Sequence, residues 1–190
     1  MQKYIVAALL TALAGHAAAE RYVGVGLGAS RFQVDCSGLD RCDKSDTAFK
    51  FFGGYRYSAM LAGEVGYIDF GKTKSNRTQD GFQLEGVLKS QALVASAVLT
   101  LPLAAGIDGV AKAGVASVQA SLDQRADGQV IASSDRQSWQ PYLGLGLQYK
   151  LRPAVALGVG VDMTRLKLDG QGGGRTSNVS LVSAGVTYGF

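Results

Sequence analysis

An all-β chain, eight antiparallel strands closed into a transmembrane β-barrel with four long extracellular loops and three short periplasmic turns, is what the sequence predicts on three observations. Apolar residues recur at every second position along most of the chain, the polar connections alternate long and short, and the last strand ends on the final residue, an aromatic. Period-two alternation marks a strand with two unlike faces. In Val179 to Phe190, one face carries Val182, Ala184, Val186, Tyr188 and Phe190, and the other carries Ser183, Gly185, Thr187 and Gly189. Left open in water, such a strand is an aggregating edge. A closed barrel in lipid pairs its backbone and covers its apolar face.

The chain starts Met1-Gln2-Lys3, continues with an apolar run from Tyr4 to Leu13, and reaches Ala17-Ala18-Ala19. A basic start, a short apolar run and an Ala-x-Ala ending predict a cleaved secretory signal peptide over residues 1–19, leaving 20–190 as one barrel domain. No apolar run is long enough for a spanning helix. The net charge of +4 is scattered along the chain. Without a stripe of Lys and Arg, it gives no reason to expect nucleic acid as a partner. Glycine is frequent, at 26 residues, and many of them fall inside alternating segments, where they suit strands curving around a crowded interior.

Taken in order, the first strand, Tyr22 to Phe32, sets Val23, Val25, Leu27 and Ala29 against Gly24, Gly26, Gly28 and Ser30. A polar connection, 33–46, follows. It holds Cys36 and Cys42, which in an oxidising periplasm predict a disulfide closing one loop. Zinc is the rival, but two cysteines without a histidine after residue 19 leave its ligand set incomplete. The second strand, Thr47 to Arg56, sets Phe49, Phe51, Gly53 and Tyr55 against Lys50, Phe52, Gly54 and Arg56. The third, Leu61 to Phe70, sets Leu61, Val65 and Tyr67 against Ala62, Glu64, Gly66 and Ile68.

The fourth strand falls within Phe82 to Leu101 and is the least clear. Its first half puts Phe82, Leu84, Gly86 and Leu88 opposite Gln83, Glu85, Val87 and Lys89, but Ala92 to Leu101 is apolar on both faces. A buried helix competes for that stretch; its Val, Leu and Thr content and Pro102 favour a strand. The fifth, Gly109 to Ala120, alternates weakly. The sixth, Ser138 to Leu151, sets Leu143, Leu145, Leu147 and Tyr149 against Gly144, Gly146, Gln148 and Lys150. The seventh, Val155 to Leu166, sets Val155, Leu157, Val159, Val161 and Met163 against Gly158, Gly160, Asp162 and Thr164. Polar loops are expected at 71–81, 121–137 and 167–177, with short turns at 57–60, after Pro102 and around Pro153. Tyr55, Tyr57, Tyr149, Tyr188 and Phe190 would form one interfacial girdle, and Phe32, Phe49, Phe82, Trp139 and Tyr142 the other. A soluble lipocalin-type barrel would need an apolar inside, and a core of Gly and Lys would not pack.

These residues resemble a known family. The final Ser183-Ala-Gly-Val-Thr-Tyr-Gly-Phe190 is similar to the C-terminal signal of outer-membrane barrels, with Ser183, Gly185, Tyr188 and Phe190 at its defining positions. Phe49 to Tyr57, Glu64 to Gly71 and Pro141 to Leu157 resemble strands of the small barrels typified by outer membrane protein A and outer membrane protein X. The resemblance implies an outer-membrane location, insertion by the barrel assembly machinery and contact with outer-membrane lipid. It also implies lipopolysaccharide or host surface ligands as candidate partners of a monomer. The chain stops at Phe190, so the cell-wall-binding domain of longer relatives is not expected.

Little in the sequence suggests catalysis. The single histidine, His16, lies in the predicted signal peptide, so a Ser-His or Asp-His site would lack its base. The aspartates of the first loop miss the calcium-loop spacing. No enzyme activity, cofactor or metal is expected. Lys50, Arg56, Glu64, Lys89, Gln148, Lys150 and Asp162 fall on the expected inward face. They form either an ion path or a filled interior of mutually paired charges. Eight strands leave an interior just wide enough for side chains, and unpaired buried charge is costly, which favours filling. The expected role is envelope integrity or surface interaction through the outer loops, with a narrow porin as the alternative.

Overall fold

The computed structural model of the chain describes residues 21–33, 41–42, 44–79, 82–126, 129–170 and 173–190. The predicted signal peptide and Cys36, hence the predicted disulfide, lie outside them. Eight long strands are present: β1 (Arg21–Phe32), β2 (Ser45–Arg56), β3 (Leu61–Gln79), β4 (Phe82–Ala104), β5 (Ile107–Ala126), β6 (Gln129–Arg152), β7 (Val155–Gly170) and β8 (Gly173–Gly189). Each pairs antiparallel with the next, and β8 returns to β1. A two-residue strand, Arg41–Cys42, adds to β3 opposite Asn76 and Ser75.

The register shows how the sheet closes. From Tyr22 the ladder runs through Gly54, Glu64, Ser96, Gly114, Tyr142, Thr164 and Val179, and it meets β1 again at Phe32, ten residues further along. This stagger tilts every strand against the barrel axis, as closure requires.

Alternation then sorts the side chains. Leu27, Leu145 and Val182 point outward and are 69%, 62% and 59% exposed, whereas Phe32, Leu166 and Leu181 point inward and are at most 1% exposed. An outside this apolar is stable only against hydrocarbon. Ala92 to Leu101 is strand: Ala92, Val94 and Val98 are buried in the lumen, while Leu93 faces outward. Both faces of that stretch meet apolar surroundings, which is why its alternation vanished.

The strands reach further than the sequence suggests. β3 to β6 hold 19, 23, 20 and 24 residues, against 12 each in β1 and β2. Much of the segments read as loops at 71–81, 121–137 and 167–177 is therefore paired backbone. In these segments the sequence carries polar residues at both parities, so the period-two signal fades. The result is a barrel with one tall wall.

The opposite ends of these hairpins are tight. At 57–60 the Tyr57 and Ser58 amides donate to Leu61 O, and Ser58 Oγ accepts from the Met60 and Leu61 amides. Between β4 and β5, Gly106 takes φ 76°, a left-handed conformation that costs glycine little. Tyr55, Tyr57, Tyr149, Tyr188 and Phe190 are exposed at this end. The opposite girdle is corrected: Phe49, Phe51, Tyr67 and Trp139 form the outward aromatics, Phe49 and Phe51 lying 6.1 and 5.6 Å from Tyr67 between ring centroids. Phe32 and Tyr142 point into the lumen instead, and the Phe82 side chain lies outside the described ones.

Candidate functional site

Two places gather the polar chemistry of the barrel: the lumen and its outer rim. In the lumen, strand parity brings residues from β1, β2, β3, β5, β6 and β7 into one network. Lys50 Nζ donates to Asp162 Oδ2 at 2.5 Å, and the Tyr142 hydroxyl donates to the other Asp162 oxygen. Lys112 Nζ donates to Glu64 Oε1 at 2.5 Å, and the Tyr22 hydroxyl donates to Glu64 Oε2 at 3.2 Å. Phe52 lies between the two pairs, its ring centroid 4.4 Å from the Lys112 ammonium and 6.0 Å from that of Lys50. Arg56 stacks 5.0 Å above the Tyr22 ring. Towards the short-turn end, Lys150 meets Asp108 at 2.7 Å, its own side chain 60% exposed.

Each buried carboxylate thus has an ammonium and, for Glu64 and Asp162, a phenol. That arrangement offsets the desolvation of charge inside the wall. Of the residues named from sequence, Lys50, Arg56, Glu64 and Asp162 share this network, and Gln148 reaches the Thr187 hydroxyl at 3.4 Å. The sequence reading missed Asp108, Lys112, Tyr22 and Tyr142. Their signal was available: on a lipid-facing strand a charge belongs inside, so Asp108 and Lys112 in otherwise small, apolar β5 fix its inward parity.

Lys89 is a correction. Pairing of Ala62 with Val98 and Glu64 with Ser96 makes the even positions of β4 lumenal. Ser90 is accordingly buried and Lys89 lies exposed on the outer face.

Above the charges lies a layer that the sequence reading did not anticipate. Phe32, Ile68, Phe70, Val118, Tyr142, Leu166, Val179 and Leu181 belong to one buried cluster across the lumen, none more than 3% exposed. Below it, a cavity of about 60 Å³ touches Lys50, Phe52, Lys112 and Asp162 and backs onto Gly146, Gly158, Gly160 and Gly185. Gly146 pairs with Gly160, Gly158 with Gly185, and Gly185 with Gly26, so this wall carries almost no inward side chain. The volume suits several waters at roughly 10–15 Å³ each.

At the outer rim, Arg31 follows Ala29 on the outward face of β1, and Arg165 follows Met163 on that of β7; both are exposed. Lys72 stands directly opposite Lys89. Beside them, Tyr67 donates to Gln91 at 2.8 Å and Gln91 donates to Gln119 at 2.6 Å, a polar ladder capping the apolar band. The C-terminal signal divides between faces. Ser183 and Gly185 are lumenal, whereas Tyr188 and Phe190 lie outside with ring centroids 6.3 Å apart.

Comparison with known proteins agrees with this architecture. Neisserial surface protein A matches with a TM-score of 0.65 at 19% identity, covering 92% of this chain and 100% of that one. Ail, the attachment invasion locus protein of Yersinia pestis, gives 0.56 at 18%, covering 92% and 100%. OprG from Pseudomonas aeruginosa gives 0.57 at 15%, covering 93% and 98%. At these identities the likeness establishes the fold. No curated protein matches the chain. The model of the OmpA-like transmembrane domain matches residues 16–190, and the chain is therefore a member of that family, an outer-membrane β-barrel of structural or transport type.

Proposed function

We propose that this protein is a non-conducting barrel whose tall outer wall and connections serve surface interaction and envelope integrity. One observation carries the reading: the apolar layer around Phe32, Phe70, Leu166 and Leu181 fills the lumen above the paired charges. An ion crossing it would shed its hydration with no polar group in compensation. The length of β3 to β6 supports the outward role, because paired backbone carries polar sequence well past the membrane band. Ail, a barrel of the same fold, carries attachment in its name and has been solved with the heparin analogue sucrose octasulfate.

The narrow-porin reading draws on the cavity beside Lys50, Lys112 and Asp162. Planar-bilayer recording of the refolded protein, with heat-modifiable gel migration as folding control, separates the two. Silence from folded protein supports the display barrel, and discrete steps that change selectivity in Lys112→Met would establish the porin. Trimming β3 to β6 above Lys72 and Lys89 should then abolish surface binding while leaving the barrel folded. Unchanged binding and envelope phenotype after trimming and deletion would refute the outward role.

A further inference from the structure

The seam between β6 and β7 stops short of the top of the wall, and the sequence shows why. The two strands pair from Arg152 and Val155 up to Tyr142 and Thr164, and among the described residues they do not pair beyond that point. The next residue outward on β6 is Pro141. The register of β6 with β5 is unbroken from Ala132 to Tyr149, and the Lys150 amide donates to Gly106 O on the β5 side. Alternation then turns the backbone groups of the odd-numbered residues towards β7. Pro141 has no N–H to give there, and its carbonyl accepts from the Thr164 hydroxyl at 2.9 Å. The seam therefore forks at this pair. Beyond it β6 continues outward against β5 alone, and β7 against β8 alone as far as Gly170 and Gly173.

The fork leaves a strand edge. Ser133, Asp135, Gln137 and Trp139 direct their N–H and C=O groups to the open side, a row that another extended backbone matches in spacing and alternation. Trp139, the innermost of the four, turns a ring that is 70% exposed to the outward face beside that row. The other edge of the same wall is treated differently: Arg41–Cys42 adds to β3 there, opposite Asn76 and Ser75. This sheet thus takes an added strand from its own chain at one edge and, among the described residues, none at the other. From Ser133 to Trp139 the open edge carries neither proline nor lysine, the residues that commonly block strand addition.

We propose that this edge of β6 is a docking site for an extended peptide segment of a partner protein, which adds as a strand, and that Pro141 and Thr164 keep the edge open. Were the seam to continue in register, Leu166, Leu168 and Gly170 would lie opposite Gln140, Ser138 and Arg136, and β7 itself would fill the edge. Backbone pairing supplies the affinity, and the Trp139 ring gives the incoming side chains an apolar contact. The inference rests on the outward role proposed above and names the kind of partner that role engages.

The test is amide hydrogen exchange of the refolded protein in detergent, with a capped peptide of alternating Thr and Val matching Ser133 to Trp139 in length. The same peptide N-methylated at every residue, which cannot pair as a strand, is the control. At saturation, exchange at the amides of Ser133, Asp135, Gln137 and Trp139 should slow about tenfold with the first peptide and stay unchanged with the second. Pro141→Ala/Thr164→Val restores the missing donor and releases the carbonyl. In that variant the same amides should be protected without peptide, and the peptide should add nothing. No slowing in the parent protein, or equal slowing by the methylated peptide, would overturn the site. So would protection of these amides in the parent protein without peptide, which assigns the edge to its own chain, or to a second copy where protection grows with protein concentration. Peptide protection that persists in the double variant would overturn the role of Pro141 and Thr164. Heat-modifiable migration verifies folding, and if the double variant fails that check Pro141→Ala alone is read in the same way. A silent edge in a protein whose surface binding is still lost on trimming β3 to β6 would refute the docking site and leave the outward role standing.

Discussion

Glu64 shows what a single residue contributes here. It receives both Lys112 and Tyr22 within the wall, so Glu64→Ala leaves an ammonium buried beside Phe52. The expected loss is about 3–5 kcal/mol, measured by urea unfolding in lipid vesicles. Adding Lys112→Met to Glu64→Ala should recover much of it, because it removes the orphaned charge. Gly24 is equally constrained by size: a Cβ there would meet three atoms of the Phe52 ring. Gly24→Ala should cost about 1–3 kcal/mol by overpacking, and Phe52→Leu should relieve it in a double-mutant cycle. Glu64 was legible from sequence because a carboxylate between Gly63 and Val65 has nowhere else to point. Lys112 was legible in principle, but small residues on both sides of β5 muted the alternation that would have assigned it.

Among the elements, β3 has the most distinctive local device. Its bulge places Gly71 at φ 78°, against Asp46 and the Thr47 carbonyl. Gly71→Ala is expected to destabilise the outward ladder by about 1–3 kcal/mol. Hydrogen exchange should then accelerate in 72–79 and 82–89 while amides of the membrane band stay protected. The last strand carries a separate expectation. Tyr188 and Phe190 stack on the lipid face, and the Phe190 amide donates to Arg21 O at 2.9 Å, where β8 seals against β1. Deleting Phe190 should reduce heat-modifiable barrel in outer membranes several-fold, yet leave refolding into synthetic vesicles intact if the assembly machinery reads this end. Strand membership and facing were readable wherever lipid lay on one side and polar or small residues on the other. They became unreadable in Ala92 to Leu101, apolar on both sides, and in the outer hairpins, whose sequence is polar at both parities.

Over the whole molecule, the interior has two strata, ion pairs towards the short turns and hydrocarbon towards the outside. Of the first stratum, sequence parity put Lys50, Glu64 and Asp162 on the inward face but passed over Lys112 and Asp108. The second escaped it because Phe32, Phe70, Leu166 and Leu181 lie on four different strands and join only through the ten-residue stagger of the closed sheet. Phe32→Ala and Leu181→Ala should each cost about 2–5 kcal/mol, measured by urea unfolding in lipid vesicles. The glycine wall has a mechanical consequence. Where Gly146, Gly160, Gly158, Gly185 and Gly26 meet, the wall itself adds no side chain to the lumen, and only the reach of Lys50 over Gly26 and Gln148 over Gly158 covers it. The cross-section is therefore expected to yield first along this wall when the bilayer presses on it, which distances between spin labels on β1 and β7 in bilayers of different thickness would read.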